Sequence, residues 1–383
     1  MNKTYIDKLS RIFEKSQIGK IRIDTPDSGS LVFEGVHQGE NCDITIKDWK
    51  AIDLVIKRGD IGLGEAYCEG LWESSDISSF LIFCSKNIDY LRNGSANFFN
   101  RLLFYVYNNY VKLNTKYGSK KNIIDHYDIG NDFYSMWIDS TMTYSSALRA
   151  NDNDNLVGAQ INKYKRIIDT LSLAGKNVLE IGCGWGGFAD QAANIGADVT
   201  GITISNNQYS FAKTRLGNKA QILLQDYRDI NKKYDSIVSI EMFEAVGEKY
   251  WPIYFDTIKK SLVKGGKALI QTITICDDAF NNYRKDSDYI RHYIFPGGML
   301  PSMKRFCEEA QKARLNVDSV LEFGDDYAWT LRQWLSNFIE IKDKLLSMNH
   351  SISFLRAWEF YLNMCIAGFE SKRTNVMQVE ISN

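Results

Sequence analysis

The sequence predicts an α/β fold from about residue 155 onward, a parallel sheet with helices on both faces. Two patterns carry that prediction. Apolar runs of strand length alternate with stretches of helical period. One of those runs, Val178-Leu179-Glu180-Ile181, ends in Gly182-Cys183-Gly184-Trp185-Gly186-Gly187. In order, strands are expected over 177–182, 198–203, 220–225, 234–240 and 266–274, and helices over 186–195, 205–216 and 250–262. Ligands in such sheets sit at the carboxyl ends of the strands. Four polar signals fall there: the glycine turn, Thr203 to Gln208, Gln225-Asp226-Tyr227 and Glu241-Met242-Phe243-Glu244. Four signals on one rim predict a site.

Glycine lets the chain turn tightly and lets backbone approach a ligand, since a Cβ would block both. Gly182, Gly184 and Gly187 also spell G-x-G-x-x-G, a weak signal for a dinucleotide when it stands alone. A nicotinamide site, however, carries its ribose-binding acid about 20 residues on, past the next strand. Thr203 occupies that place, and the acid, Glu180, precedes the turn. Acid, glycine turn and no pyrophosphate partner fit S-adenosylmethionine better.

The flanks read differently. Residues 1–115 mix strand-like runs such as Ser30-Leu31-Val32-Phe33 with glycine-rich turns such as Gly59 to Glu65. Ser95 to Tyr117 is an aromatic helix candidate (Phe98, Phe99, Leu102, Leu103, Phe104, Tyr107, Val111) ending near Lys112, Lys116, Lys120 and Lys121. It suits a domain-packing helix, or a surface that meets lipid with lysines at headgroup level. Residues 276–300 are expected to form an irregular insert. Residues 326–371 read as long helices carrying Trp329, Trp334, Phe338, Phe354, Trp358, Phe360 and Tyr361, which suit either a core or the roof of an apolar tunnel.

Composition narrows the function. The chain has 383 residues, 44% hydrophobic and 13% aromatic, enough for two or three structural units with a sizeable core. With 46 basic and 47 acidic residues there is no global field for nucleic acid or an anionic membrane. Seven cysteines without a C-x-x-C pair, and only four histidines, predict no metal site and no redox pair. No signal peptide opens the sequence and no apolar run reaches membrane-spanning length. A cytoplasmic protein with at most peripheral membrane contact is expected.

Several longer motifs then point to a family. His126-Tyr127-Asp128-Ile129-Gly130-Asn131-Asp132-Phe133-Tyr134 and Met142-Thr143-Tyr144-Ser145-Ser146-Ala147 resemble the cyclopropane fatty acid synthase family. So do Gln225-Asp226-Tyr227-Arg228-Asp229, Tyr293 to Ser302 and, further back, Gly62 to Tyr67. The resemblance spans nearly the whole chain. It implies a class I (Rossmann-like) methyltransferase with a seven-stranded mixed sheet over 116–383 and a helical acyl-binding insert. A smaller lipid- or membrane-facing N-terminal domain would occupy 1–115. The implied reaction moves a methyl from S-adenosylmethionine to the double bond of an unsaturated acyl chain in membrane phospholipid and closes a cyclopropane ring. Bicarbonate is the implied base. The implied location is the cytoplasm, transiently at the inner face of the membrane, with no nucleic-acid partner and a homodimer left open.

Carried over by position, the resemblance places Tyr144, Ser145, Gly182, Gly184, Thr203, Gln208, Asp226 and Tyr227 in the S-adenosylmethionine pocket. The glycine turn adds Glu180, Cys183 and Gly186. Bicarbonate contacts map to Glu244, Ile273 and Tyr327, and Cys365 aligns with a cysteine sometimes marked active. Each has a plainer reading: Glu244 as an acid at a helix N-terminus, Tyr327 as core, Cys365 as packing. His126, Asp128 and His292 are expected to be structural. The chain departs from the family's best-known type in carrying Ser146 for cysteine, Gln271 for histidine and Ala245 for histidine. Hydroxyl and amide can still donate to an anion, so Ser146 and Gln271 remain site candidates. Loss of the imidazole keeps two other outcomes open. One is a fatty-acid C-methyltransferase giving methyl- or methylene-branched chains. The other is an amine N-methyltransferase, for which Glu241-x-x-Glu244 leaves room.

Overall fold

The computed structural model describes residues 3–91 and 130–383. The expected helix at 95–117, its lysines, His126, Asp128 and the boundary at 115/116 lie outside those residues. In the N-terminal part, β1 (Ile18–Asp24), β2 (Ser30–Glu34), β3 (His37–Ile46) and β4 (Trp72–Glu73) form a sheet ordered β2-β1-β3-β4. Ile21 and Ile23 on β1, and Ile44 and Ile46 on β3, alternate inward with period two. They pack on the helix Ile77–Lys86, whose Phe80, Ile82 and Phe83 are buried. The Asp76 carboxylate starts that helix by accepting from the Ser79 amide.

The larger sheet contains β5 (Asn177–Ile181), β6 (Asp198–Thr203), β7 (Gln221–Leu224), β8 (Tyr234–Ile240), β9 (Leu262–Ile275), β10 (Asn316–Glu322) and β11 (Thr374–Ser382). Its order is β10-β11-β9-β8-β5-β6-β7. β9-β8-β5-β6-β7 run parallel, while β11 is antiparallel to both β9 and β10. The sheet is therefore the expected seven-stranded mixed one. Strand order reverses between β5 and β8, which opens a crevice at their carboxyl ends. All but the first residue of β5 is buried, as a strand covered on both faces requires.

Two expectations need correction. Gly59 does turn the chain, with φ of 61° between the helices Lys50–Arg58 and Asp60–Cys68, but Gly62 to Glu65 lie inside the second helix. Its glycines serve packing, since a Cβ on Gly62 would collide with the Leu54 carbonyl and one on Gly64 with the ring of Tyr289. The insert at 276–300 is only partly irregular, holding the helix Asp277–Tyr283 and a π-helical turn Ile290–Ile294. The C-terminal aromatics divide. Trp334, Phe338, Trp358 and Phe360 are buried core, whereas Tyr361 also faces the cavity described below.

The helix Ile352–Glu370 ties the two parts together. Tyr67 donates its hydroxyl to Glu359 (2.8 Å), Ser78 donates to Asn363 (2.5 Å), and Arg356 donates to the Tyr67 carbonyl (3.0 Å). Tyr67 and Trp72 also pack on Phe360. Buried polar contacts between apolar faces fix one docking geometry.

Candidate active site

A single cavity of about 1520 Å³ opens at the carboxyl ends of β5, β6 and β8 and runs on to the N-terminal sheet. At its polar end the glycine turn does what the sequence predicts. Gly182, Gly184 and Gly186 take φ of 80°, 51° and 81°, a region other residues rarely adopt. Nothing lies within 4 Å of where a Cβ on Gly184 would stand, while one on Gly182 would meet the Met242 side chain at 2.8 Å. Gly186 caps the helix Gly187–Asn194 and packs near Leu216, and it does not line the cavity.

Short polar side chains around the turn are locked by mutual bonds. Thr203 donates its hydroxyl to Gln208 (2.8 Å) and accepts from the Ser205 amide (3.2 Å). Asp226 is held by a two-pronged bond from Arg228, at 2.8 and 2.6 Å. Tyr144 shares a hydroxyl bond with Tyr361 (2.9 Å). Ser145 is fixed twice from the helix Leu156–Leu171: Lys163 donates to its hydroxyl (2.6 Å) and Gln160 to its carbonyl (2.9 Å). Tyr144, Ser145, Glu180, Gly182, Cys183, Gly184, Thr203, Gln208, Asp226 and Tyr227 thus line one wall. Glu180 is buried with one carboxylate oxygen unpartnered, and burial pushes its pKa well up. An orphaned buried carboxylate beside an open glycine cradle suits a ligand that brings its own cationic or N–H donor, as S-adenosylmethionine does.

Next to the cradle stand two carboxylates. Glu244 accepts from the Ile273 amide (2.5 Å) and the Thr272 hydroxyl (3.0 Å) through one oxygen, while its other oxygen has no partner. Glu241 has three donors, two on one oxygen and one on the other. It accepts from the Ser146 amide (2.9 Å), the Gln271 side-chain amide (2.7 Å) and the Tyr327 hydroxyl (2.7 Å). Its φ of 49° is a strained conformation for a residue with a side chain. Protein surrounds both acids, and the accessible surface they keep faces the cavity.

Glu244, Ile273, Tyr327 and Cys365 line the cavity, but Ser146 and Gln271 do not. They lie fully buried behind Glu241. The Ser146 hydroxyl turns instead to the Ala147 carbonyl (2.9 Å). Sequence reasoning therefore missed Glu241 as the group these side chains serve, although the Glu-x-x-Glu at a strand end was a readable signal. It also missed Lys163, a lysine on the apolar face of an amphipathic helix.

Electrostatics separate these groups. Burial, and then the charge of Glu241, pushes Glu244 up to about 8. Burial raises Glu241 too, against the pull of Lys163 and its three donors. Burial draws Lys163 down to about 7, opposed by Glu241, Asp139 and Glu180. Burial lifts the Cys365 thiol to about 12, which leaves it neutral near pH 7. Among the described residues no cluster of histidine, cysteine and carboxylates suits a metal ion, and no helix is long and apolar enough to cross a membrane.

This sheet, with a glycine cradle at its switch point, defines a class I S-adenosylmethionine-dependent methyltransferase. A family model described as mycolic acid cyclopropane synthetase matches residues 114–379, and the chain belongs to that family. A cyclopropane-fatty-acyl-phospholipid synthase of Escherichia coli (strain K12) is 36% identical over 343 residues, 89% of this chain and 87% of its own. Tuberculostearic acid methyltransferase UfaA1 of Mycobacterium tuberculosis is 34% identical over 336 residues, 84% of this chain and 78% of its own. The mycolic acid cyclopropane synthase CmaA1, solved with SAH and CTAB, is similar at a TM-score of 0.65 and 28% identity, covering 69% of this chain and 98% of that one. Coclaurine N-methyltransferase, at a TM-score of 0.66 and 18% identity over 84% of this chain and 99% of that one, shares the fold alone.

Proposed function

We propose that this chain transfers a methyl from S-adenosylmethionine to the double bond of an unsaturated fatty acyl chain of membrane phospholipid and forms a cyclopropane ring. The observation that carries this reading is the continuity of the cavity. The wall holding the glycine cradle and both glutamates runs into Ile23, Ile44, Ile46, Phe80 and Leu81 of the N-terminal part. A long apolar chain could lie along that wall with its double bond near the carboxylates.

S-adenosylmethionine, when bound, supplies an electrophilic methyl on a sulfonium. The glycine turn, Thr203 and Gln208 would hold and orient it, with Glu180 facing its cationic side. The apolar walls exclude water, so positioning dominates the rate. A cation forming on the acyl chain meets the rings of Tyr144, Tyr327, Tyr361 and Phe369, each worth about 0.5–2 kcal/mol when close and face-on. Bicarbonate, the base implied by the resemblance, does not fit this chain's residues. Its expected donors are engaged with Glu241 and Glu244, and the charge of Glu241 repels an anion.

A fatty-acid C-methyltransferase is the second reading, favoured by the likeness to the tuberculostearic acid enzyme. In this account 1–115 forms the lipid-facing part and 116–383 the methyltransferase, in a cytoplasmic protein working at the inner membrane face. Vesicles of monounsaturated phospholipid and S-adenosylmethionine with a trideuterated methyl test it by mass spectrometry of the fatty acids. Two deuteriums and no double bond mean a cyclopropane. A double bond kept with two or three deuteriums means C-methylation, and no labelled lipid overturns both readings.

A further inference from the structure

We propose that the Glu241 carboxylate is the proton acceptor of the reaction, built into the chain in place of a dissolved anion. The inference rests on the reading above. Its ground is a hydrogen-bond chain whose polarity can be followed donor by donor. Arg166 has donors only, and it bonds the side-chain carbonyl of Gln378. The Gln378 NH₂ must then face Gln271, and it donates to the Gln271 carbonyl (3.0 Å). That leaves the Gln271 NH₂ pointing at Glu241 (2.7 Å). The Ser146 amide and the Tyr327 hydroxyl converge on the same carboxylate from two other parts of the fold.

Two donors of fixed direction and the Tyr327 hydroxyl favour the ionised form of this half-buried carboxylate against the burial that raises its pKa. Lys163, also buried, lowers the Glu241 pKa further while it keeps its own proton, up to about pH 7. The result is an anion held by the protein at the cavity wall, one strand from the glycine cradle. Glu244 next to it is less suited to that task. One of its oxygens is orphaned, and burial and the charge of Glu241 favour its protonated form.

The step balances without an added reactant. The alkene π pair forms the new carbon–carbon bond to the methyl, and the carbon–sulfur pair stays on sulfur. The neighbouring chain carbon is left cationic. Glu241 takes a proton from the new methyl, and the released C–H pair closes the third side of the ring. Glu241 then returns its proton to solvent before the next turnover. The methyl C–H pair quenches the cation one carbon away as the ring closes, so even a well-hydrogen-bonded carboxylate can accept the proton.

The test uses the full-length protein with monounsaturated phospholipid vesicles. In buffer stripped of dissolved carbon dioxide the wild-type rate is expected to stay within about twofold of its rate with bicarbonate. Glu241→Gln is expected to bind S-adenosylmethionine in calorimetry within a few-fold of wild type and to lose turnover by about a hundredfold or more, the lower range of general-base contributions. Added formate should restore part of the rate in Glu241→Gly. A wild-type rate that collapses without bicarbonate and returns with it overturns the proposal and leaves the proposed function standing. So does a Glu241→Gln enzyme at full rate. A wild type that methylates no lipid overturns the function and this proposal together.

Discussion

At the ends of β5, β6 and β8 the cavity wall is backbone and short polar side chains already committed to one another. Toward β1 and β3 it is Ile23, Ile44, Ile46, Phe80 and Leu81, which offer shape and no directed bonds. The polar end depends on individual atoms: one Cβ, one lone pair or one proton changes it. The apolar end depends on volume and tolerates any substitution that conserves it. The two ends should therefore fail in different ways.

The largest difference should appear with pH. In the folded state Glu244 keeps its proton up to about pH 8, whereas the unfolded chain releases it near the ordinary 4.5. Between those values the unfolded state binds fewer protons, so stability falls as pH rises through the window. At roughly 1.4 kcal/mol per pKa unit this amounts to several kcal/mol. Lys163, drawn down to about 7 from 10.5, acts oppositely and returns stability above about pH 7. Glu244→Gln cannot ionise, so its denaturation curves should lose much less between pH 4.5 and 8. Parallel wild-type and variant profiles would contradict the assigned burial.

Phe80→Ala at the apolar end should cost about 3–5 kcal/mol in chemical denaturation, the usual range for a buried phenylalanine, and leave S-adenosylmethionine affinity unchanged. A shift in that affinity would show the two ends to be coupled. Gly182→Val should do the reverse. A branched side chain at a φ of 80°, pressed on Met242, is expected to weaken S-adenosylmethionine binding roughly a hundredfold, about 2.7 kcal/mol, by calorimetry. Binding within threefold of wild type would mean that the cradle does not need the glycine. The smallest effect is expected of Ile44→Leu, which conserves volume and should cost below about 1.5 kcal/mol. A larger loss would mean that the apolar wall is as exacting as the polar one.

The sequence signals were strongest where the chemistry is local. The glycine turn, Thr203 to Gln208 and the strand-helix alternation are contiguous and fall within a residue or two of their observed bounds, except that β9 begins at Leu262, four residues before the expected start. Gly62 and Gly64 misled because glycine serves close packing as well as turns, and their partners, Leu54 and the ring of Tyr289, come from other elements. Glu241 was legible as a residue but not as a hub. Its donors Ser146, Gln271 and Tyr327 stand 95, 30 and 86 positions away, and no local pattern states that they meet. The substitutions at Ser146 and Gln271 were visible in the sequence. Their meaning needed the carboxylate they point to.

The place of β11 bears on how the protein is made. Thr374–Ser382 lies between β9 and β10, both of which precede it in the chain. While the ribosome is still adding residues, β9 therefore waits with one side unpaired. About a hundred residues separate Ile275 from Thr374, or about 5–20 s at translation rates of about 5–20 residues per second. For that interval a long apolar strand edge is open to other chains, the usual template for aggregation. Slow translation or a premature stop in this stretch would therefore expose a sticky nascent chain, and demand for chaperones should peak between the synthesis of β9 and that of β11.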